Sequence, residues 1–196
     1  DILMPNMNGY EFCKTIRENF DTSHIPLVML TSNSTVEQQI KGLSTGADAY
    51  ITKPFDINLL DTSVYTILEN RKKLRNRFLG PGQSDENENK LTQKDSDFID
   101  TLKLFIDDNL PNQKLNVEAL AEHFSISRTQ LNRKIKSLTG QTPNSLIKSI
   151  RLKKAYDLIK NEGLRVSEVS YKVGFSDPNY FTICFNKEFG KNPSKV

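Results

Sequence analysis

Basic and amide side chains cluster at the start of a predicted helix in the last third of this 196-residue chain. Ser127 and Gln130 have the spacing of a capping box, so we expect a helix to begin at Ser127. Leu131 and Ile135 share one face by helical spacing. The opposite face then carries Arg128, Thr129, Asn132, Arg133 and Lys136. Arg can pair bidentately with guanine and Asn with adenine in a major groove, so this face predicts contacts to DNA bases.

A second helix with a polar outer face is predicted near the end of the chain. Asp177 is expected to cap it, with Pro178 at its first position. The predicted buried face consists of Tyr180, Phe181, Cys184, Phe185 and Phe189. The predicted groove-facing residues are Asn179, Thr182, Ile183, Asn186 and Lys187.

The two predicted helices belong to an internal repeat. The pattern Val117, Leu120, Ala121, Phe124, Ile126 and Ser127 recurs as Val166, Val169, Ser170, Val173, Phe175 and Ser176. Such repetition indicates a duplicated unit, here two short helices joined by a tight turn. The apolar helix predicted over residues 143–160 would span about 27 Å. That length suits two recognition helices held about one DNA turn, roughly 34 Å, apart.

The net charge of +3 is unevenly divided along the chain. Residues 111–196 hold 15 Lys and Arg against 7 Asp and Glu, a balance of +8, whereas residues 1–110 hold 12 against 17, a balance of −5. This asymmetry favours contact with a polyanion by the second half alone. Cys13 and Cys184 occupy apolar helical positions far apart in the sequence, which predicts buried thiols rather than a disulfide or metal site.

The acidic half alternates predicted helices and strands, which is typical of an α/β unit. Helices are predicted over residues 9–19, 35–43 and 56–77, and strands over 25–31 and 49–52. Residues rich in Gly, Pro and polar side chains follow, and they predict a flexible linker. We therefore expect three segments, which are an α/β domain over residues 1–77, a linker over 78–95 and a helical domain over 96–196.

Residues 96–196 resemble the AraC-type DNA-binding domain. The resembling stretches are SRTQLNRKIKSLTGQTPNSLIKSIRLKKAYDLI and VSEVSYKVGFSDPNYFTICFNKEFGKNP. The resemblance implies sequence-specific transcriptional control through two helix-turn-helix motifs joined by a long helix. It implies base contacts by Arg128, Thr129, Asn132 and Arg133 in the first motif, and by Asn179, Thr182 and Ile183 in the second. The chain departs from the family at Ile183, where a basic or polar residue is usual, and at Asn186, which is often Lys. The second motif is therefore expected either to read bases weakly or to contact a thymine methyl.

The segment DILMPNMNG, with Thr31 and Lys53-Pro54 at later strand ends, resembles response-regulator receiver domains. The resemblance implies Asp1 as the phosphoacceptor, Thr31 as the switch hydroxyl, Lys53 as the phosphate contact before a cis proline, and Tyr50 as the aromatic switch residue. Only the C-terminal portion of a receiver corresponds to these residues. We expect no cofactor and no intact metal site in the segment, whereas a complete receiver binds Mg²⁺ with Asp1 as one ligand.

The predicted fold is an α/β partial receiver of flavodoxin-like topology with its first strands missing, followed by an all-α domain with two helix-turn-helix motifs joined by a long helix. The expected partners are double-stranded DNA and an upstream histidine kinase domain as phosphodonor. A homodimer formed by strand exchange is a further expectation, because unpaired central strands invite pairing. We expect a cytoplasmic segment without membrane contact, since no apolar run approaches 18 residues.

Two questions about function stay open at this level. The parent protein is either a free response regulator or a hybrid sensor histidine kinase, which would carry its own membrane anchor and catalytic region upstream. The segment itself is not predicted to be an enzyme, because it has no nucleophile paired with a base, no metal cluster and no glycine-rich phosphate loop. A protein-interaction module with a basic face is the rival hypothesis, but the capped helices and the duplication favour DNA.

Overall fold

The structure, a computed structural model, describes residues 2–32, 35–79 and 93–196. The chain divides into two compact units, Asp1–Asp97 and Phe98–Val196. The described residues are mostly helical, and the first unit also contains a small parallel sheet of two strands. This agrees with the expectation of an α/β half followed by an all-helical half.

The first unit alternates helices and strands. Its elements are α1 (Gly9–Glu18), β1 (Val28–Thr31), α2 (Val36–Ser44), β2 (Ala49–Thr52) and α3 (Ile57–Leu79). Asn8 caps α1 through a capping box, because its Oδ1 accepts from the Glu11 backbone N–H at 2.9 Å and the Glu11 carboxylate accepts from the Asn8 N–H at 3.2 Å. β1 begins later than predicted, since the Leu27 N–H donates to the Asp48 side chain at 2.7 Å instead of to a strand.

The two strands are parallel and end at the same edge. β1 and β2 pair in register from Val28 opposite Ala49 to Thr31 opposite Thr52. Just beyond the strands, the Lys53 backbone N–H donates to the Thr31 carbonyl at 2.6 Å. A parallel pair requires a crossover connection, which α2 supplies.

Arg17 of α1 forms hydrogen bonds to several loops of the first unit. Its side chain is only 9 % exposed. Nε donates to the Gly46 carbonyl at 2.6 Å, and Nη1 donates to the carbonyls of Ser23 at 2.8 Å and Ile25 at 2.7 Å. Nη2 contacts the Asp48 carboxylate at 2.5 Å. A guanidinium can satisfy all these acceptors because its donors point in fixed, divergent directions.

The second unit is built from helices alone among its described residues. Helix α4 (Gln93–Asp108) leads into it, followed by α5 (Val117–His123), α6 (Arg128–Thr139), α7 (Pro143–Glu162), α8 (Val166–Lys172), α9 (Pro178–Phe189) and the 3₁₀ turn Pro193–Lys195. We call α5 with α6 the first helix pair and α8 with α9 the second helix pair. These pairs coincide with the two copies of the sequence repeat.

Helix α7 connects the two helix pairs. The hydroxyl of Thr142 accepts from the Ser145 N–H at 3.3 Å, Pro143 occupies the first position, and Gly163 ends the helix in a left-handed conformation. The helix therefore has 20 residues, two more than predicted at its C-terminal end, and a length of about 30 Å. It packs against α6, α8 and α9.

One apolar cluster packs the second helix pair against α7. Leu152 and Ala155 of α7 pack with buried residues of the pair, which are Val169, Val173, Phe175, Phe181, Cys184 and Phe185. Phe189 is partly buried against the same cluster. The prediction that Tyr180 belongs to the buried face is wrong, because 52 % of it is exposed. Its ring lies beside Phe175, with 6.2 Å between the centroids, and its hydroxyl interacts with the Cys184 side chain at the edge of the cluster.

The predicted linker over residues 78–95 is shorter at both ends than expected. Helix α3 continues to Leu79 and α4 begins at Gln93, while residues 80–92 lie outside the described residues. Asp95 lies in the first turn of α4, where a carboxylate is favoured by the helix dipole. The predicted start of the helical domain at residue 96 therefore falls inside a helix.

The two cysteines are buried free thiols, as predicted. Burial raises the pKa of the Cys13 thiol, although its hydrogen bond to the Thr45 carbonyl opposes this. Within the part of the chain that the structure describes, no helix combines the length and the apolar character needed to cross a bilayer.

The turns of the two helix pairs share a backbone design. The Ile126 N–H donates to the Ala121 carbonyl at 3.0 Å, and the Phe175 N–H donates to the Ser170 carbonyl at 2.9 Å. The residue at the turn has positive φ in both copies, with +53° for Ser125 in the first pair and +84° for Gly174 in the second. A Cβ on the glycine would lie 2.2 Å from the Leu110 carbonyl oxygen, so only glycine fits there.

We predict that Gly174→Ala lowers the free energy of unfolding of the second unit by about 2–4 kcal/mol, because left-handed strain is added to a backbone clash. Gly163→Ala is the matched control, since Gly163 also has positive φ but nothing lies within 4 Å of a Cβ there. The control should cost only about 1 kcal/mol. Urea denaturation followed by circular dichroism measures both values. Equal losses in the two variants would contradict the close approach of Leu110.

Candidate functional site

Helix α6 begins at the predicted capping box. The Ser127 hydroxyl accepts from the Gln130 backbone N–H at 3.2 Å, and the Gln130 Oε1 accepts from the Ser127 N–H at 3.0 Å. Leu131, Ile135 and Leu138 are buried, which fixes the rotation of the helix. Because the cap is made by side chains at the helix end, the outer face of the first two turns stays clear.

The outer face of α6 carries all five side chains predicted for it. Arg128, Thr129, Asn132, Arg133 and Lys136 are each exposed. The Asn132 amide nitrogen donates to the Arg128 carbonyl at 3.0 Å, one turn earlier, so its orientation is set by its own helix. The remaining amide oxygen and N–H keep capacity for an external partner.

Arg128 has a carboxylate partner that sequence spacing does not predict. Its Nη1 lies 2.8 Å from Glu118 Oε1, with 67 % of the Arg128 side chain and 53 % of the Glu118 side chain exposed. The hydrogen bond from Arg128 holds the pKa of the Glu118 carboxyl below its usual value. Glu118 belongs to the first turn of α5, so this contact brings the starts of α5 and α6 together.

Helix α9 presents a less polar outer face. Its cap is formed as predicted, with the Asp177 carboxylate accepting from the Asn179 N–H at 2.8 Å. Asn179 is exposed, and Ile183 is 65 % exposed despite being apolar. Thr182 is only half-buried, and its hydroxyl donates to the Pro178 carbonyl at 2.9 Å. The second helix pair therefore offers an amide and an aliphatic side chain where the first offers two guanidinium groups.

Of the predicted receiver residues, Thr31 and Lys53 lie at the carboxyl edge of the sheet of the first unit, whereas Asp1 lies outside the described residues. Thr31 is 2 % exposed at the end of β1, and Lys53 is exposed directly after β2. The backbone bond between these residues brings them together at the carboxyl edge of the sheet. The Lys53-Pro54 peptide bond is cis, as the family resemblance implied.

Tyr50 stands two positions before the end of its strand. It pairs with Met29 of β1, and its ring covers Gly42 of α2, where a Cβ would lie 2.5 Å from the ring. Burial raises the pKa of the neighbouring Tyr10, and a hydrogen bond with Tyr50 acts in the same direction. The aromatic ring is thus packed between the sheet and α2.

Magnesium is the metal that the receiver resemblance implies. Among the described residues, no group of three or more His, Cys, Asp or Glu side chains could hold a metal ion. The described residues alone therefore do not supply the acidic ligands that Mg²⁺ requires.

Comparison with known proteins gives two family matches. A response regulator receiver domain model matches residues 1–65, and a helix-turn-helix domain model matches residues 120–196. Both resemblances predicted from the sequence are confirmed by these matches.

Individual relatives cover the chain in different ways. Histidine kinase P4 of Formosa agariphila is 39 % identical over 195 residues, which is 100 % of this chain and 14 % of the relative. The transcriptional activator RhaS of Escherichia coli is 34 % identical over 98 residues, which is 50 % of this chain and 35 % of the relative. The solved C-terminal domain of AraT, a response regulator from Geobacillus stearothermophilus, is 27 % identical. It covers 55 % of this chain and 85 % of that domain, with a TM-score of 0.47. The chain thus spans well under half the length of either sequence relative.

We predict that Arg128→Ala raises the pKa of the Glu118 carboxyl toward its usual value, because the lowering rests first on the hydrogen bond from Arg128. An NMR titration of the Glu118 carboxyl carbon measures this. Arg133→Ala is the matched control, since it removes an exposed arginine from the same helix without touching Glu118. The ion pair stabilises the fold above the usual Glu pKa and is lost as the pH falls through the lowered value. An unchanged Glu118 pKa in Arg128→Ala would mean that the pair does not form in solution.

Proposed function

We propose that this chain, which carries a response-regulator receiver segment followed by an AraC-type helix-turn-helix domain, is part of a two-component transcription regulator. The observation that carries the proposal is the pair of capped helices, α6 and α9, whose outer faces are exposed while their inner faces are buried. The first and second helix pairs would each be a helix-turn-helix motif. A role at DNA also implies that this segment acts in the cytoplasm.

The mechanism of DNA reading follows from α7. A helix of about 30 Å that packs against both pairs would hold α6 and α9 at the starts of adjacent major-groove segments, about 34 Å apart along the duplex. One chain would then read two successive segments on one side of the DNA. The basic balance of the second half of the sequence supports attraction to the phosphate backbone.

The first motif is proposed to read bases through hydrogen bonds. Arg133 is exposed and reaches outward from the second turn of α6, where a guanidinium can bond both O6 and N7 of guanine. Asn132 stands beside it and suits adenine. Arg128 would exchange its bond to Glu118 for a DNA partner, with Thr129 and Lys136 completing the contact surface.

The second motif is proposed to read shape and methyl groups more than hydrogen-bond patterns. Ile183 exposes an aliphatic side chain on the outer face of α9, which suits the C5-methyl group of thymine. Asn179 and Thr182 would supply the polar contacts. Base discrimination by this motif should therefore be weaker for G·C pairs than discrimination by the first.

Control is proposed to come from phosphorylation of the receiver segment. The Asp1 carboxylate would attack the phosphorus of a phosphohistidine on a histidine kinase domain, so that a P–O bond forms while the P–N bond breaks and the imidazole leaves. Lys53 and the Thr31 hydroxyl would take up charge on the phosphoryl oxygens. In a complete receiver, Mg²⁺ supplies further charge neutralisation with Asp1 as one ligand. Phosphorylation would draw the Thr31 side chain inward, and Tyr50 would move with it. The altered surface would change how receiver segments pair, and this pairing would bring two DNA-binding units together.

A hybrid sensor histidine kinase is a second candidate for the parent protein. The observation that favours it is the similarity of the whole chain to a segment of a protein named as a histidine kinase, at 39 % identity. In that arrangement the kinase activity belongs to residues outside this chain. We propose that the segment itself is a regulatory and DNA-binding module and not an enzyme.

The test of the proposal is binding to duplex DNA under varied salt. A pool of random duplexes selected on the full 196-residue chain should yield a preferred operator. Affinity for operator and for random DNA should both fall steeply with salt while the preference persists. A chain that binds an acidic protein but selects no duplex would support the interaction-module alternative.

We predict that Arg133→Ala weakens operator binding by about 1–3 kcal/mol and relaxes discrimination at one base position, because a bidentate base contact is lost. Lys160→Ala is the control, since Lys160 is an exposed cation in the last turn of α7. It should leave base discrimination unchanged. Fluorescence anisotropy on the operator and its single-base variants measures both. If Arg133→Ala leaves base discrimination unchanged, the proposal that α6 reads bases in the major groove is wrong.

A further inference from the structure

A cationic cleft lies between α7, the segment that precedes α5 and the turn of the second helix pair. Its volume is about 250 Å³, and α7 forms its floor with Ile147, Lys148 and Arg151. Gln113 borders it on one side, and Ser176 borders it on the other. None of the described residues that line it is an Asp or a Glu. The cleft therefore carries two positive charges without a carboxylate in its lining.

The position of the cleft relates it to both DNA-reading helices. On one side its lining includes Leu115, directly before the Asn116 cap of α5, and the first turn of α5 contacts the first turn of α6 through Glu118. On the other side its lining includes Ser176, directly before the Asp177 cap of α9. The cleft thus lies where α7 meets the segment that precedes the first helix pair and the turn that precedes α9.

Arg151 is held in this cleft with part of its hydrogen-bonding capacity unused. Its Nη2 donates to the Asn112 carbonyl at 2.7 Å. Its Nε is buried and has no hydrogen-bond partner among the described residues. Burial lowers the pKa of the guanidinium, with no acidic group opposing the shift. A partly desolvated cation without a counter-ion is costly, and an anion entering the cleft would remove that cost.

We propose that this cleft is a phosphate-binding site that grips the DNA backbone between the two major-groove segments read by α6 and α9. The inference rests on the proposed DNA-binding function and deepens it. A duplex that offers two successive major-groove segments to the chain must present the intervening phosphodiester strand to the surface between the two helices. Lys148 and Arg151 supply point-charge and planar donors there, and phosphate contacts of this kind fix the register of a protein on DNA without reading sequence.

Loss of a contact in the cleft should change DNA affinity differently from loss of a contact on the base-reading face. Loss of a phosphate contact weakens all sequences alike and lowers the dependence of affinity on salt. Loss of a base contact instead changes the preference among sequences. The two kinds of contact are therefore separable in one set of titrations.

The test compares Lys148→Ala with Lys160→Ala in the full chain. Both residues are exposed lysines of α7, but only Lys148 lines the cleft. Lys148→Ala should lower affinity for the selected operator and for random duplexes by the same factor, about fivefold, and reduce the slope of log affinity against log salt by about 0.9. Lys160→Ala should behave as the unaltered chain. Lys148→Glu should weaken both duplexes further.

A second measurement follows Arg151 directly, because Arg151→Ala would also release the Asn112 carbonyl. The side-chain Nε resonance of Arg151 should shift when a duplex is added. Inorganic phosphate should reverse this shift only at a concentration much higher than that of the duplex. An unshifted resonance, or equal salt slopes in Lys148→Ala and Lys160→Ala, would overturn the proposal while leaving DNA binding intact. A resonance that responds to inorganic phosphate but not to duplex would identify a small-anion site and would also overturn it. Failure of the unaltered chain to bind any duplex would refute the proposed function itself.

Discussion

The second unit depends on one requirement, which is that α7 must bury side chains toward two different neighbours along its length. Leu146 and Ile147 are buried in its first half, whereas Leu152 and Ala155 are buried in its second half. Ala155 is fully buried, and its small size lets the second helix pair approach the α7 backbone closely. Since packed helices keep fixed distances, the separation of α6 and α9 is set by this one rigid element.

The helix caps allow the same segments to be both well folded and available for binding. The first turn of a helix has backbone N–H groups without partners, and Ser127 and Asp177 satisfy one of them in α6 and in α9. Both caps come from residues that precede the helix, so the side chains of the first turns remain exposed. The two copies of the repeat thus keep the same backbone hydrogen bonds and differ in what they present to solvent.

The sequence predicted those features that depend on local rules. The strand Ala49–Thr52 and the caps at Ser127 and Asp177 follow from short patterns and agree with the structure. Tyr180 was misplaced because helical periodicity cannot distinguish the edge of an apolar face from its centre. Glu118 was missed because its partner belongs to another helix, and no spacing rule links the first turns of two helices. The unpartnered Nε of Arg151 likewise depends on how α7 packs against the loop that contains Asn112, which only tertiary structure reveals. The roles of Asp1, Thr31 and Lys53 stay predictions.

The unequal chemistry of the two exposed helix faces gives the molecule a polarity. A guanidinium-rich face at one end and an isoleucine-bearing face at the other cannot be exchanged by turning the protein around. A single chain bound to a duplex therefore points in one direction along it, and its target should lack dyad symmetry. Two such targets can follow each other in the same direction or be inverted, and each arrangement brings different ends of the neighbouring chains together.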